Sequence, residues 1–210
     1  ATRIMAAVAG APQSGAEEWS ALADIERRAG DFAAAAAHFG RAIDLLPADA
    51  GPERRAMLLF LRGSSEEQGG DWPAAEKHLR ETLALVPDNP IYLNYLGYSL
   101  LDRGLKPDES RALIERAFAA APESGAIIDS MGWSLFVAGD YAGAVALLER
   151  ARAAEPADPT VADHLGDALW RTGRRIEARY AWTAALDQEP PAKLKDRLLA
   201  KRDLGLDLAR

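Results

Sequence analysis

Small, large apolar and polar positions recur along this chain in columns. Their spacing of about 34 residues marks a stack of similar units rather than one globular core. Each unit holds two short amphipathic segments. The first has a small residue at its centre, Ala23, Gly63, Gly97, Gly132 or Gly166, preceded by Leu22, Arg62, Leu96, Met131 or Leu165. The second has Ala35, Ala75, Ser110, Ala144 or Ala178, and one turn later a large apolar residue, Phe39, Leu79, Ile114, Leu148 or Trp182. Ala42, Thr82, Ala117, Ala151 and Ala185 follow. Small residues at crossing points let two helix backbones approach, and large ones fill the space that remains. The pattern predicts five helix pairs in an all-α array.

The punctuation agrees. Gly-Asp-aromatic occurs at Gly30-Asp31-Phe32, Gly70-Asp71-Trp72 and Gly139-Asp140-Tyr141, with degenerate copies at Gly104 and Gly173. Gly is expected to end the first helix in the left-handed region, and Asp to cap the second. Pro47, Pro87, Pro122, Pro156 and Pro190 then stop the second helix. Asn89-Pro90 and Asp158-Pro159 read as the cap and first-turn Pro of the next one.

This register gives units at residues 16–49, 50–89, 90–124, 125–158 and 159–192. In the second, Ala50 to Arg55 are extra; they either lengthen its first helix from Pro52 or form a loop. The third has a wider turn at Leu105-Lys106-Pro107-Asp108. Residues 193–210 read as a capping helix and tail, with Leu194, Leu198 and Leu199 on one side and Lys and Arg on the other. Ile4, Ala7 and Pro12 repeat the spacing of Ile114, Ala117 and Pro122. Residues 1–15 are therefore expected to be the remnant of a truncated upstream unit, helical over residues 2–9, and a linker, and the chain to be the end of a longer array.

Composition narrows the function. The net charge is −7, and Arg27-Arg28, Arg54-Arg55 and Arg174-Arg175 are isolated pairs. Nucleic-acid binding needs a clustered basic face, so no nucleic-acid partner is expected. There is no Cys, which removes disulfides, thiolate zinc sites and Cys nucleophiles. No apolar stretch approaches the length of a bilayer span.

Candidate chemistry is sparse. His38 and His78 share a column and should stand about 10 Å apart, too far for one metal. His164 sits in Asp163-His164-Leu165-Gly166-Asp167, without a second His one turn on. No phosphate-binding, dinucleotide or nucleophile-elbow motif is present. Glu17-Glu18 and Glu66-Glu67 read as helix-surface carboxylates. No catalytic residue, metal site or cofactor is expected.

The columns carry a resemblance to the tetratricopeptide repeat (TPR), whose pattern is W-x2-L-G-x2-Y followed by A, F, A and P. Trp19, Leu22, Ala35, Phe39, Ala42 and Pro47 match it in the first unit. The resemblance implies a right-handed superhelical α-solenoid that holds a protein or peptide on a concave face lined by the first helices. The implied groove residues are Asn94, Tyr98, Asp129, Trp133, Asp163, Asp167 and Trp170, with Leu101 and Phe136 one turn further along. Some TPR domains clamp a chaperone's terminal carboxylate with Lys, Arg and Asn here. This chain has Asp instead, so a basic or neutral partner is expected.

A sharper likeness lies in Asn94-Tyr95-Leu96-Gly97-Tyr98-Ser99-Leu100, Asp129-Ser130-Met131-Gly132-Trp133-Ser134-Leu135 and Asp163-His164-Leu165-Gly166-Asp167-Ala168-Leu169-Trp170. With Gly173-Arg174-Arg175-Ile176-Glu177-Ala178-Arg179 and Trp182, these resemble the C-terminal repeats of bacterial envelope TPR proteins. Some of those are adaptors of carboxyl-terminal-processing proteases. The resemblance implies a non-catalytic scaffold in the periplasm or envelope, with the cytoplasm as the alternative. The alternative function is a self-association or architectural module of a larger multi-repeat protein, with an open N-terminal face that could stack on another copy.

Overall fold

The computed structural model describes residue 11 and residues 14–208, and among these the regular secondary structure is all helical. Eleven helices follow in order: α1 (Ala16–Arg28), α2 (Phe32–Asp44), α3 (Pro52–Gln68), α4 (Trp72–Leu85), α5 (Pro90–Asp102), α6 (Pro107–Ala120), α7 (Gly125–Val137), α8 (Tyr141–Ala154), α9 (Pro159–Arg171), α10 (Arg175–Leu186) and α11 (Ala192–Leu204). The expected helix over residues 2–9 lies outside the described residues. The chain divides into two compact units, Ala1–Leu96 and Gly97–Arg210, with the division inside α5.

The turns are set by local chemistry. Gly70 and Gly139, between paired helices, have φ of 89° and 87°, a conformation in which a Cβ would be strained. Asp31, Asp71 and Asp140 then accept from the backbone N–H of Ala34, Ala74 and Gly143. Each cap satisfies a donor that the first turn leaves orphaned. Asn89 and Asp158 cap α5 and α9 in the same way. The extra residues before the second pair lengthen its first helix: Pro52 opens α3, whose Arg54 pairs with Glu17 of α1.

In the N-terminal unit, α1 packs on α2, α2 on α3 and α3 on α4. Its core gathers Ala23, Ala35, Phe39, Ala42, Ile43, Leu58 and Leu59. In the C-terminal unit, α7 packs on α6, α8 and α9, α9 on α8 and α10, and α10 on α11. Its largest core cluster includes Leu148, Leu165, Leu169, Ala178, Trp182 and Leu198. The small-and-large columns meet as expected. A Cβ on Gly166 would come within 2.3 Å of Trp182 Nε1, so only Gly admits the buried indole there. Full burial of side chains of this size stabilises by about 1.5–3 kcal/mol each.

Candidate functional site

Buried charge is the first thing the folded chain must resolve, because an unpaired ion in the interior costs several kcal/mol. In the C-terminal unit, Asp129 on α7 and Asp163 and Asp167 on α9 are all buried. Asp129 presents both oxygens to His164 Nδ1 at 3.0 Å. A carboxylate can only accept, so Nδ1 carries the proton. Lys201 of α11 donates to Asp163 Oδ1 at 2.6 Å and to Asp167 Oδ2 at 2.8 Å. Arg197, one turn earlier on α11, donates to Asp163 Oδ2 at 2.8 Å. The Trp182 indole donates to Asp167 Oδ1 at 3.1 Å. Each carboxylate oxygen of the cluster thus has a donor inside the protein.

The cluster shifts its own titrations. Burial raises the carboxyl of Asp167 to about 6; Lys201 opposes this and the Asp163 charge adds to it. Burial alone would lower the pKa of His164, but the charge and hydrogen bond of Asp129, with Asp163 and Asp167 behind it, raise it. Burial raises the Tyr98 phenol, helped by the carboxylates of Asp102, Asp129 and Asp163 and opposed by Arg197.

Aromatic rings lie beside these charges. Trp133 stacks on His164, with centroids 4.1 Å apart and planes 14° apart. It also stacks on Phe136 at 4.6 Å and 9°. Phe136 meets Tyr141 at 5.3 Å. Tyr98, on α5, stands 6.2 Å from His164 on α9. These two helices belong to repeats that are not consecutive, so their approach marks this as the inner face of the C-terminal unit. Tyr98, Trp133 and Phe136 remain only partly buried there.

The predicted groove residues therefore divide. Tyr98, Asp129, Trp133, Asp163 and Asp167 come together, but the three carboxylates are engaged inside the protein and do not form an open acidic rim. Trp170 serves the C-terminal turn: its indole donates to Asp207 at 3.0 Å, its ring lies near Trp182 and Gly205, and the guanidiniums of Arg175 and Arg179 sit over it. Leu101 is buried. Asn94 belongs to the N-terminal unit, where its Oδ1 is buried with no hydrogen-bond partner among the described residues.

Sequence reasoning misses Lys201 and Arg197, placing them on the solvent side of the cap. The available signal is their spacing of one turn, matching the spacing of Asp163 and Asp167 on α9. The reading of Glu66 as a surface carboxylate is also corrected. It is buried at the joint of α3 and α4, where it meets His78 Nδ1 at 2.6 Å and Arg62 Nε at 3.0 Å. Glu26 and His38 repeat the pairing at 2.7 Å between α1 and α2. Among the described residues, no group of three or more His, Cys, Asp or Glu is placed to hold a metal ion.

Comparison with known proteins agrees with this geometry. Tetratricopeptide repeat profiles match residues 17–88 in one case and residues 60–125 and 130–193 in another. The TPR repeat-containing protein PA4667 of Pseudomonas aeruginosa is 42% identical over 87 residues, which are 41% of this chain and 15% of that protein. The chain thus spans a small part of the curated relative it matches. Among solved structures, the thermophilic TPR protein TTC0263 of Thermus thermophilus superposes with a TM-score of 0.70 at 20% identity, over 88% of this chain and 97% of that one. Pseudomonas aeruginosa PilF gives 0.68 at 18%, over 92% and 86%. MamA of Desulfovibrio magneticus gives 0.64 at 18%, over 83% and 94%. These likenesses extend the helical-array architecture to proteins of little sequence identity. With the profiles spanning most of its length and its helix pairs built on their columns, the chain belongs to the tetratricopeptide repeat family.

Proposed function

We propose that this chain is a non-catalytic scaffold that holds a protein segment against the inner face of its C-terminal unit. Protein–protein interaction is what the family's fold supports. The observation that carries the finer reading is the partly exposed Trp133, fixed by stacking on His164 and Phe136. Rigid aromatic surface is the usual anchor of binding energy. The polar groups beneath it are already bonded to one another, so the floor needs no reorganisation on binding.

Charge favours a neutral segment with an aromatic or aliphatic side chain. The carboxylates that suggested a basic partner are neutralised by His164, Lys201 and Arg197. The envelope-adaptor reading, with a processing protease as partner, rests on the resemblance over roughly residues 90–205.

A photo-crosslinking residue at position 133 tests the site. An adduct with a discrete envelope protein, absent when the same residue replaces exposed Leu105, is the expected result. Equal labelling from both positions would sink the inner-face reading. Capture of cytosolic proteins alone would remove the envelope version.

A further inference from the structure

Two exposed columns of the second helices change character in the fifth repeat. Two columns on the second helices are exposed in every repeat: Ala33, Pro73, Asp108, Ala142 and Ile176 in one, and Ala37, Lys77, Ala112, Ala146 and Tyr180 in the other. Four repeats fill them with small, cyclic or charged residues. The fifth places Ile176 and Tyr180 there, one turn apart on α10, 72% and 73% exposed. Packing within the chain does not ask for large apolar groups at positions left in water.

They border a cleft of about 430 Å³ lined by Ile176, Arg179, Tyr180, Thr183, Arg202 and Asp203. The cleft's single carboxylate, Asp203, is held by Arg202 at 2.7 and 3.2 Å. Arg179 donates Nε to the Arg202 carbonyl, and its guanidinium lies over Trp170 beside that of Arg175. Neither Arg175 nor Arg179 makes an ion pair among the described residues. Asp207 and Asp203 reach them only through space, so in a chain of net charge −7 two guanidiniums without a bonded carboxylate stand beside the exposed Ile and Tyr.

We infer that this outer face of α10, with the end of α11, docks an acidic protein segment bearing an apolar side chain. The apolar side chain covers Ile176 and Tyr180, and flanking carboxylates meet Arg175 and Arg179, while Arg202 keeps Asp203 neutralised at the edge of the cleft. Carboxylate pairing with planar guanidiniums supplies direction, and apolar contact supplies most of the affinity. This face is separate from the aromatic floor around Trp133.

Selecting phage-displayed dodecapeptides on the full chain and on an Ile176→Ser/Tyr180→Ser variant tests it. Both positions are exposed, so the variant should keep its helicity and melting temperature. The expected result is a set of peptides retained only by the wild type, rich in Asp and Glu around Leu, Phe, Tyr or Trp. A synthetic copy should bind the double variant at least about ten-fold more weakly, lose affinity with added salt, and weaken for Arg202→Gln. Selected peptides that ignore the variant, or that are basic, overturn the inference. A concentration-dependent dimer abolished by the variant overturns it too, because the occupant is then a second copy. Trp133→Ala should leave this binding unchanged, which separates it from the inner-face reading.

Discussion

Three residues past the small residue of each first helix, the N-terminal unit carries Glu26 and Glu66, while the C-terminal unit carries Leu100, Leu135 and Leu169. On the second helices the matching column reads His38 and His78, then Leu113, Leu147 and Ala181. The two columns change together. In the N-terminal unit the joint of each helix pair is a Glu–His bond; in the C-terminal unit the same place is apolar. The C-terminal unit puts its buried charge elsewhere, between neighbouring elements: Asp129 to His164, and Asp163 and Asp167 to Lys201. One half bonds its ions inside a hairpin, and the other bonds them from one repeat to the next. The same repeat geometry serves both, so the columns set the fold while the polar pairs set which neighbours fit.

The largest test of this contrast is Asp163→Ala. It leaves buried Lys201 with Asp167 alone and frees Arg197. Breaking a buried ion pair from one side costs about 3–5 kcal/mol. Hydrogen exchange should show α10 and α11 opening, with protection in α1–α4 unchanged. Loss of protection in both units alike would break the comparison.

Acidity gives the next largest effect. His164 and Asp167 both bind a proton more tightly folded than unfolded. Each therefore adds stability that is complete below its unfolded pKa, about 6.5 for His and about 3.9 for Asp. That stability is lost as pH rises through the folded value, which is about 6 for Asp167 and raised for His164. The unfolding free energy of the C-terminal unit should fall by about 1–3 kcal/mol from mildly acidic to mildly alkaline pH. Asp167→Asn should flatten the lower part of the curve and His164→Gln the upper part. The lowered carboxylates of Asp203 and Asp207 act oppositely, but only in more acidic solution. An unfolding free energy that rises over this range would contradict the assignment.

Cap removal sharpens what the units share. Asp71→Ala and Asp140→Ala should each cost about 0.5–2 kcal/mol by thermal or denaturant unfolding, one in each unit. The smallest change is expected from copying one half into the other. Glu66→Leu with His78→Leu reproduces the Leu100–Leu113 joint, and such replacements are often neutral or stabilising. We expect stability within about 1 kcal/mol of the parent or above it, whereas Glu66→Leu alone should be worse because it strands buried His78.

The helix pairs were legible because their signals are local. Gly70 and Gly139 with positive φ, Asp71 and Asp140 as caps, and Pro52 opening α3 are decided within a few residues. The small-and-large columns also survive, since Gly166 and Trp182 belong to one hairpin. The ionic pairs were less legible. Asp163 looks like a solvent-facing acid until α11 is laid against α9, and Lys201 looks like a solvating base until it is buried there. That placement is a tertiary fact; the one-turn spacing shared by Arg197 and Lys201 with Asp163 and Asp167 hints at a match but does not say that α11 is laid against α9. Glu66 was recoverable, because Glu26–His38 and Glu66–His78 vary in step with the leucines that replace them. Reading pairs of columns, rather than each column singly, exposes the joint.

The Glu–His joints have a consequence for how such arrays can be rearranged by duplication and crossing-over. Each N-terminal hairpin carries both members of its buried pair, so a copy cut between repeats remains self-sufficient. A cut at Gly70-Asp71, inside a hairpin, would join a Glu half to a Leu half and bury a lone acid. In the C-terminal unit the partners sit on successive repeats, and even a cut between repeats separates Asp129 from His164. The first half of the chain is thus modular at the level of the hairpin, whereas the second must be inherited as a block.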